Sequence, residues 1–123
     1  MNELISLVVS TYNRPDALGA CLRSLLAQND RNFEIVVADD GSGPATRDVI
    51  KAWAAEAGVP VGHVWQEDRG FRLAEIRNRA IAASAGSYLI FLDGAAGFML
   101  AVANAEGAYY RYQKAWLARQ RRE

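Results

Sequence analysis

With 123 residues the chain is long enough for one domain, which at this size buries roughly two-thirds of its unfolded surface, and leaves no room for a second. Hydrophobic residues make up 51% and charged residues 23%, a globular balance that excludes disordered and collagen-like chains. Fourteen basic and fourteen acidic residues cancel, so no whole-chain charge points to nucleic acid or to an anionic membrane.

The cancellation hides a division. Residues 1–93 carry nine Lys/Arg against twelve Asp/Glu, whereas residues 94–123 carry five against two and end in Arg119, Arg121 and Arg122. That tail is the place for an acidic partner. The single Cys21 excludes an internal disulfide and offers no metal cluster, and its setting among Leu18, Leu22, Leu25 and Leu26 predicts a buried thiol. Met1-Asn2-Glu3 has no basic region and leads straight into a strand-like run, unlike a signal peptide. No apolar stretch approaches the ~20 residues that span a bilayer. The expectation is a soluble, cytoplasmic chain.

In chain order, residues 4–10 are almost wholly apolar, as in a strand covered on both faces. Thr11-Tyr12-Asn13-Arg14 forms the exit loop. Asn13 suits an N-cap and Pro15 a first turn, so a helix is predicted over residues 15–27 with Leu18, Leu22, Leu25 and Leu26 inward. Residues 33–39 are the second strand, and Gly43-Pro44 opens a helix to about residue 57 with Val49, Ile50, Trp53 and Ala54 as its apolar face. Residues 61–65 make a weaker third strand, interrupted by Gly62 and His63 as an edge strand tolerates. His63, the only histidine, reads as a surface residue there. A polar loop follows, then helical spacing over residues 73–84 with Gly86 placed as a C′ residue, then a fourth strand at 87–93. Residues 98–103 are apolar without a clear period, and 106–121 read as a basic, aromatic helix whose arginines complement the helix dipole.

Strands alternating with helices and right-handed crossovers give an α/β fold, a Rossmann-like open parallel sheet of order 3-2-1-4 with helices on both faces and a C-terminal helix. In that order the carboxyl ends of strands 1, 2 and 4 meet at one crevice, where open α/β sheets bind ligands. Thr11, Tyr12, Asn13, Arg14, Asp39, Asp40 and Asp93 are placed there. The loop after strand 1 holds no glycine, so it is no dinucleotide fingerprint, and no Walker loop is present. A hydroxyl, a ring, an amide and a guanidinium suit the grip of a base and ribose. Asn13 either caps the helix or joins that grip, and Asp40 is either a turn residue or a ligand. Arg77 lies about 40° from Leu73 on the helical projection, so its charge needs a partner: Asp39, Asp40, a diphosphate or a purely structural acid. Arg72 and Arg79 read as solvated, with Arg72 near enough to the helix start to meet a phosphate. Asp93 contacts either a ribose or a cation.

These segments together resemble family 2 glycosyltransferases of the A-type fold. The match is carried by Val8-Val9-Ser10-Thr11-Tyr12-Asn13-Arg14, Val36-Val37-Ala38-Asp39-Asp40-Gly41-Ser42, Asp68-Arg69-Gly70-Phe71-Arg72 with Ile76-Arg77-Asn78-Arg79-Ala80, and Phe91-Leu92-Asp93-Gly94. The resemblance implies that residues 1–94 bind a nucleotide sugar of the UDP-hexose type. In that arrangement Thr11, Tyr12 and Asp40 lie on the base, Arg77 near base and diphosphate, and Asp93 on the ribose and metal. It implies an acceptor in polysaccharide or lipopolysaccharide synthesis and manganese or magnesium as cofactor. Ala95 stands where the family places a second Asp, so metal binding is expected to be weak or absent here. Residues 95–123 match no acceptor-site segment and are expected to pack on the same domain as a truncated or replaced C-terminal part. The expected function is therefore nucleotide binding without transfer, with no catalytic residue assigned. A second reading, a non-catalytic interaction module whose basic, aromatic tail makes a homo-oligomer through the C-terminal helix or docks a partner, rests on the same tail. A phospho-acceptor receiver domain fits less well, since no Ser/Thr strand and Lys strand follow in order.

Overall fold

The computed structural model describes residues 4–93 and, as backbone, residues 99–104. Among these lie β1 (Ile5–Thr11), α1 (Pro15–Leu26), β2 (Phe33–Asp39), α2 (Pro44–Glu56), β3 (Val61–Trp65), α3 (Leu73–Ala83), β4 (Tyr88–Asp93) and β5 (Met99–Asn104). The strands form one sheet in the order β3-β2-β1-β4-β5. The first four are parallel, as the sequence predicts, with Thr11 opposite Asp39 and Ser10 opposite Asp93. Those three strand ends therefore stand side by side at one edge.

β5 is a departure from expectation. The apolar run after residue 98 adds to β4 as an antiparallel edge strand, with a register shift between Phe91 and Leu92. Consecutive apolar residues without alternation leave the element type open in sequence, and here pairing with β4 decides it. The predicted helix over 106–121 and its proposed oligomer contact lie outside the described residues.

Alternation along the strands splits the core into two layers. Leu7, Val9, Ile35 and Val37 pack beneath Leu18 and Leu22 of α1 and Ile50 of α2. Val8, Val36, Ala38, Leu89 and Phe91 pack against Ile76 and Ala80 of α3 on the opposite face. Burying a Leu or Ile of this kind contributes about 1.5–3 kcal/mol, so these two layers hold the strand ends in place. Arg31 adds a link: its guanidinium donates to Leu26 O at 2.7 Å and also to Ala57 O, which ties the carboxyl ends of α1 and α2 together.

Two local expectations change. Asn13 is not the N-cap of α1; Arg14 holds that position without a side-chain bond, and Asn13 takes a left-handed φ of 46°. Gly86 is not a left-handed C′ residue either. α3 ends on Ser84, whose hydroxyl donates to Ile81 O at 2.7 Å. Gly86 instead serves a close approach to β1: a Cβ there would lie 2.7 Å from Ser6 N and 2.8 Å from Leu4 O.

Candidate nucleotide-binding site

A cavity of about 330 Å³ opens at the carboxyl edge of the sheet, lined by Ser10, Thr11, Tyr12, Asp40, Asp68, Gly70, Phe71, Leu73 and Asp93. It lies on the α3 side because Ser10, Asp40 and Asp93 continue the strand positions that face α3. Strand ends thus supply the floor, and the loop between β3 and α3 supplies a wall.

The two adjacent carboxylates part company here. Asp40 stays with the cavity, 6% exposed, whereas Asp39 continues the Ile35 and Val37 positions and turns to the α1/α2 side, fully buried. His63 Nε2 sits 2.8 Å from Asp39 Oδ2, and Ser42 N donates to Oδ1 at 2.9 Å. Burial pushes the Asp39 carboxyl up, but the bonds from His63 and Ser42 outweigh it and hold the group below the usual carboxylate range. His63 is therefore a half-buried partner of Asp39, at 21% side-chain exposure, rather than a surface residue. Sequence alone missed this because the interruption of β3 by Gly62 and His63 looked like an edge feature. In the register, Val37 lies opposite His63, which brings the ring beside the end of β2.

Asn13 belongs to the same network. Its N–H donates to Ser42 Oγ at 2.8 Å, and its Oδ1 accepts from Gly43 N at 2.9 Å. Trp65 Nε1 donates to Ser42 O at 3.0 Å. Asn13 thus staples the loop after β1 to the loop after β2, and the left-handed backbone that Asn tolerates lets it do so. It is exposed and outside the cavity lining, as is Arg14, which pairs with Asp16 at 3.4 Å.

Asp40 is engaged on both oxygens. Gln66 Nε2 donates to Oδ1 at 2.7 Å, and Arg72 N donates to Oδ2 at 2.9 Å. Gln66 is the first residue after β3 and Arg72 the last before α3, so one carboxylate pins both ends of the intervening loop. The tip is fixed separately: Tyr12 Oη donates to Asp68 Oδ2 at 2.7 Å, and Gly70 N to Asp68 Oδ1 at 3.2 Å. The bond to Asp68, and then its charge, raise the Tyr12 phenol above its ordinary value. Gly41, at φ 99°, lets that loop close, since a Cβ there would lie 2.6 Å from Asp68 N and Cα.

Thr11 is 6% exposed, and its Oγ1 finds no hydrogen-bond partner among the described residues. A buried hydroxyl left without a partner costs free energy, and in a cavity wall it is a ready contact for a ligand. Phe71, 88% exposed, and Tyr12, 47% exposed, bring aromatic surface to the same rim. Asp93 is half-buried at the end of β4. Arg77 is half-buried on α3 and is not among the cavity residues. Arg72, expected in solvent, has 27% side-chain exposure and bonds Glu75 at 2.7 Å and Glu67 O at 2.9 Å. Arg79 is exposed and pairs with Glu75. Ser10, Asp68, Gly70, Phe71 and Leu73 line the cavity without having been assigned a site role in sequence, and Gln66 stands behind Asp40. Asp68-Arg69-Gly70 did carry a turn signal; Gln66 carried none.

Cys21 is buried, and burial, followed by the nearby Asp93 charge, pushes its thiol up, which suits an inert core sulfur. Among the described residues no group of three His, Cys, Asp or Glu is disposed to hold a metal ion, and no helix is long and apolar enough to cross a membrane.

In a doubly wound α/β sheet, the carboxyl edge where this cavity opens is where ligands bind. The sequence model described as Glycosyl transferase family 2 matches residues 6–94, and the chain belongs to that family. It is 40% identical over 92 residues to validoxylamine A glucosyltransferase of Streptomyces hygroscopicus subsp. jinggangensis (strain 5008), which covers 73% of this chain and 21% of that protein. It is 36% identical over 90 residues to putative glycosyltransferase EpsH of Bacillus subtilis (strain 168), covering 72% of this chain and 25% of the relative. The chain thus spans about a fifth to a quarter of the length of these relatives. Among solved structures, S. aureus TarS 1-349 in complex with UDP-GlcNAc superposes with a TM-score of 0.66 at 26% identity, covering 74% of this chain and 26% of that one. The mannosyltransferase PcManGT from Pyrobaculum calidifontis, in complex with GDP-Man and Mn2+, shares the fold with a TM-score of 0.68 at 24% identity. That match covers 77% of this chain and 28% of the mannosyltransferase.

Proposed function

We propose that residues 1–94 form the donor-binding half of a nucleotide-sugar glycosyltransferase and bind a nucleoside diphosphate of the UDP type. The observation that carries this reading is the convergence of Thr11, Tyr12, Asp40 and Asp93 on one cavity whose buried Thr11 hydroxyl has no partner among the described residues. Family membership and the UDP-GlcNAc complex of TarS support it.

In this reading the base lies against the Tyr12 ring and offers a ring N–H to Asp40, while Thr11 Oγ1 bonds a base or ribose oxygen. Asp93 accepts from a ribose hydroxyl. Three carboxylates line the cavity, which suits donors on base and ribose and turns the diphosphate outward, away from like charge. Arg14, exposed just before α1, and Arg77, half-buried on α3, are assigned to the diphosphate side. Asp39 and Asn13 act from behind, by fixing the loops after β1 and β2.

Relatives in the family imply manganese or magnesium, and the PcManGT complex contains Mn2+. Asp93 is the residue here that would hold such an ion. Asp40 and Asp68 already accept two hydrogen bonds each, and Ala95 follows in sequence where a second Asp would be needed. Among the described residues no set of oxygens makes a cage for a hard cation, which wants several. The function proposed is accordingly nucleotide binding without sugar transfer to a polysaccharide or lipopolysaccharide acceptor. Calorimetry with UDP and a UDP-sugar, with and without manganese, tests both parts. Heat on UDP addition that changes little with manganese is expected. A folded sample giving no heat overturns the binding reading, and manganese-dependent release of UDP from a UDP-sugar overturns the absence of transfer.

A further inference from the structure

Gln66 is 2% exposed and stands next to the cavity without lining it. Its N–H donates to Asp39 O at 3.2 Å, which extends the ladder by one residue and sends its side chain to the α3 face, the face of Asp40. There the Nε2 group meets two acceptors, Asp40 Oδ1 at 2.7 Å and Arg72 O at 3.2 Å. A flipped amide would set oxygen against oxygen at both contacts, so its orientation is fixed by chemistry. The other Asp40 oxygen takes the Arg72 N–H at 2.9 Å.

Two donors that cannot themselves accept therefore hold the Asp40 carboxylate. Each oxygen keeps a lone pair that these donors do not use, and an ionised carboxylate offers it only as an acceptor. Uracil, thymine and guanine present a ring N–H to such a group. Cytosine and adenine present a bare ring nitrogen, which an acceptor repels. We infer that Gln66 is a positioning residue that fixes Asp40 as an acceptor and through it selects bases bearing a ring N–H. This rests on the proposed contact between Asp40 and the base.

UDP and CDP share ribose and diphosphate and differ in that edge, so their affinities for the whole chain isolate the effect. The unaltered protein is expected to prefer UDP. Gln66→Met keeps the length and removes the donor, and the UDP-to-CDP ratio is expected to fall about tenfold, the scale of one hydrogen bond to a charged group. Gln66→Glu gives a second, independent readout. At pH 5 the two carboxylates share one proton and the donor toward Asp40 is restored, whereas at pH 8 both ionise and repel. The terminal phosphate of UDP titrates in this range for either protein, so the readout is the difference: UDP binding by that variant should weaken relative to the unaltered protein as the pH rises. A purely structural Gln66 would weaken UDP and CDP equally and leave the Gln66→Glu profile parallel to that of the unaltered protein. Where Gln66→Met does not fold, the difference between the two profiles decides alone. An unchanged ratio, or for the second variant a profile parallel to that of the unaltered protein, overturns the inference while UDP binding by the unaltered protein keeps the binding reading intact. No binding of either nucleotide by the unaltered protein overturns both.

Discussion

Asp39 and Asp40 are neighbours in sequence and serve opposite faces of the sheet. The period of two along β2 makes this unavoidable: the residue after a buried α1/α2-facing position must face α3. Asp40→Asn places an amide N–H₂ or a single weaker acceptor between two N–H donors. It is expected to lower UDP affinity at least about tenfold, given the worth of charge-assisted bonds, as calorimetry would measure. Asp39→Asn should act on stability instead, by about 1–3 kcal/mol for loss of a buried charged hydrogen-bond partner. Because the folded Asp39 carboxyl is held below its unfolded value, its contribution is complete above the unfolded value, about pH 4. It is lost as the pH falls from there through the folded value. Urea denaturation of wild type and Asp39→Asn at pH 5 and at pH 3 should therefore show a wider stability gap at pH 5. A gap that widens on acidification would contradict the assignment.

Sequence placed both acids at a strand end but gave no sign that His63 would turn toward one and Gln66 toward the other. Those pairings come from register between strands more than twenty residues apart. Thr11, Tyr12, Asp40 and Asp93 were legible because an abrupt change from apolar to polar marks where a strand stops. Asn13 looked like a cap because residue type alone does not distinguish a helix N-terminus from a left-handed loop position.

At the scale of elements, the loops at the carboxyl edge depend on close approach. Gly41 combines a left-handed φ of 99° with space that a Cβ would take from Asp68. Gly41→Ala is expected to displace the loop between β3 and α3, break the bond from Tyr12 to Asp68, and weaken UDP binding more than it lowers the melting temperature. Gly86→Ala should do the reverse. It crowds Ser6 and Leu4 at the amino end of the sheet, far along β1 from the cavity, and overpacking of this kind costs about 1–3 kcal/mol. A thermal melt paired with UDP titration of both variants separates the two glycines; equal effects on both readouts would contradict this division. The two glycines were not separable in sequence. Gly41 follows a strand and Gly86 a helix, as chain-breaking glycines do, and only the contacts a Cβ would make reveal that one guards the site and the other the core.

For the whole molecule, the order β3-β2-β1-β4 places three strand ends together, and the central position of β1 makes its exit loop part of the cavity. This much followed from runs of apolar residues separated by helical spacing, since right-handed crossovers restrict the possible orders. β5 did not follow, because an antiparallel edge strand after the last parallel one has no periodicity that separates it from a turn or a helix. The match to the family model ends at residue 94, close to where β4 ends. Among the described residues, those that line the cavity all lie within the matched segment.

The most direct measurement is a crystal structure of this chain with UDP. The expected result is the uracil ring against Tyr12, with its N3–H donating to Asp40 and a base or ribose oxygen on Thr11 Oγ1. Density for UDP elsewhere, with this cavity closed or filled by residues 94–123, would contradict the assignment of the site.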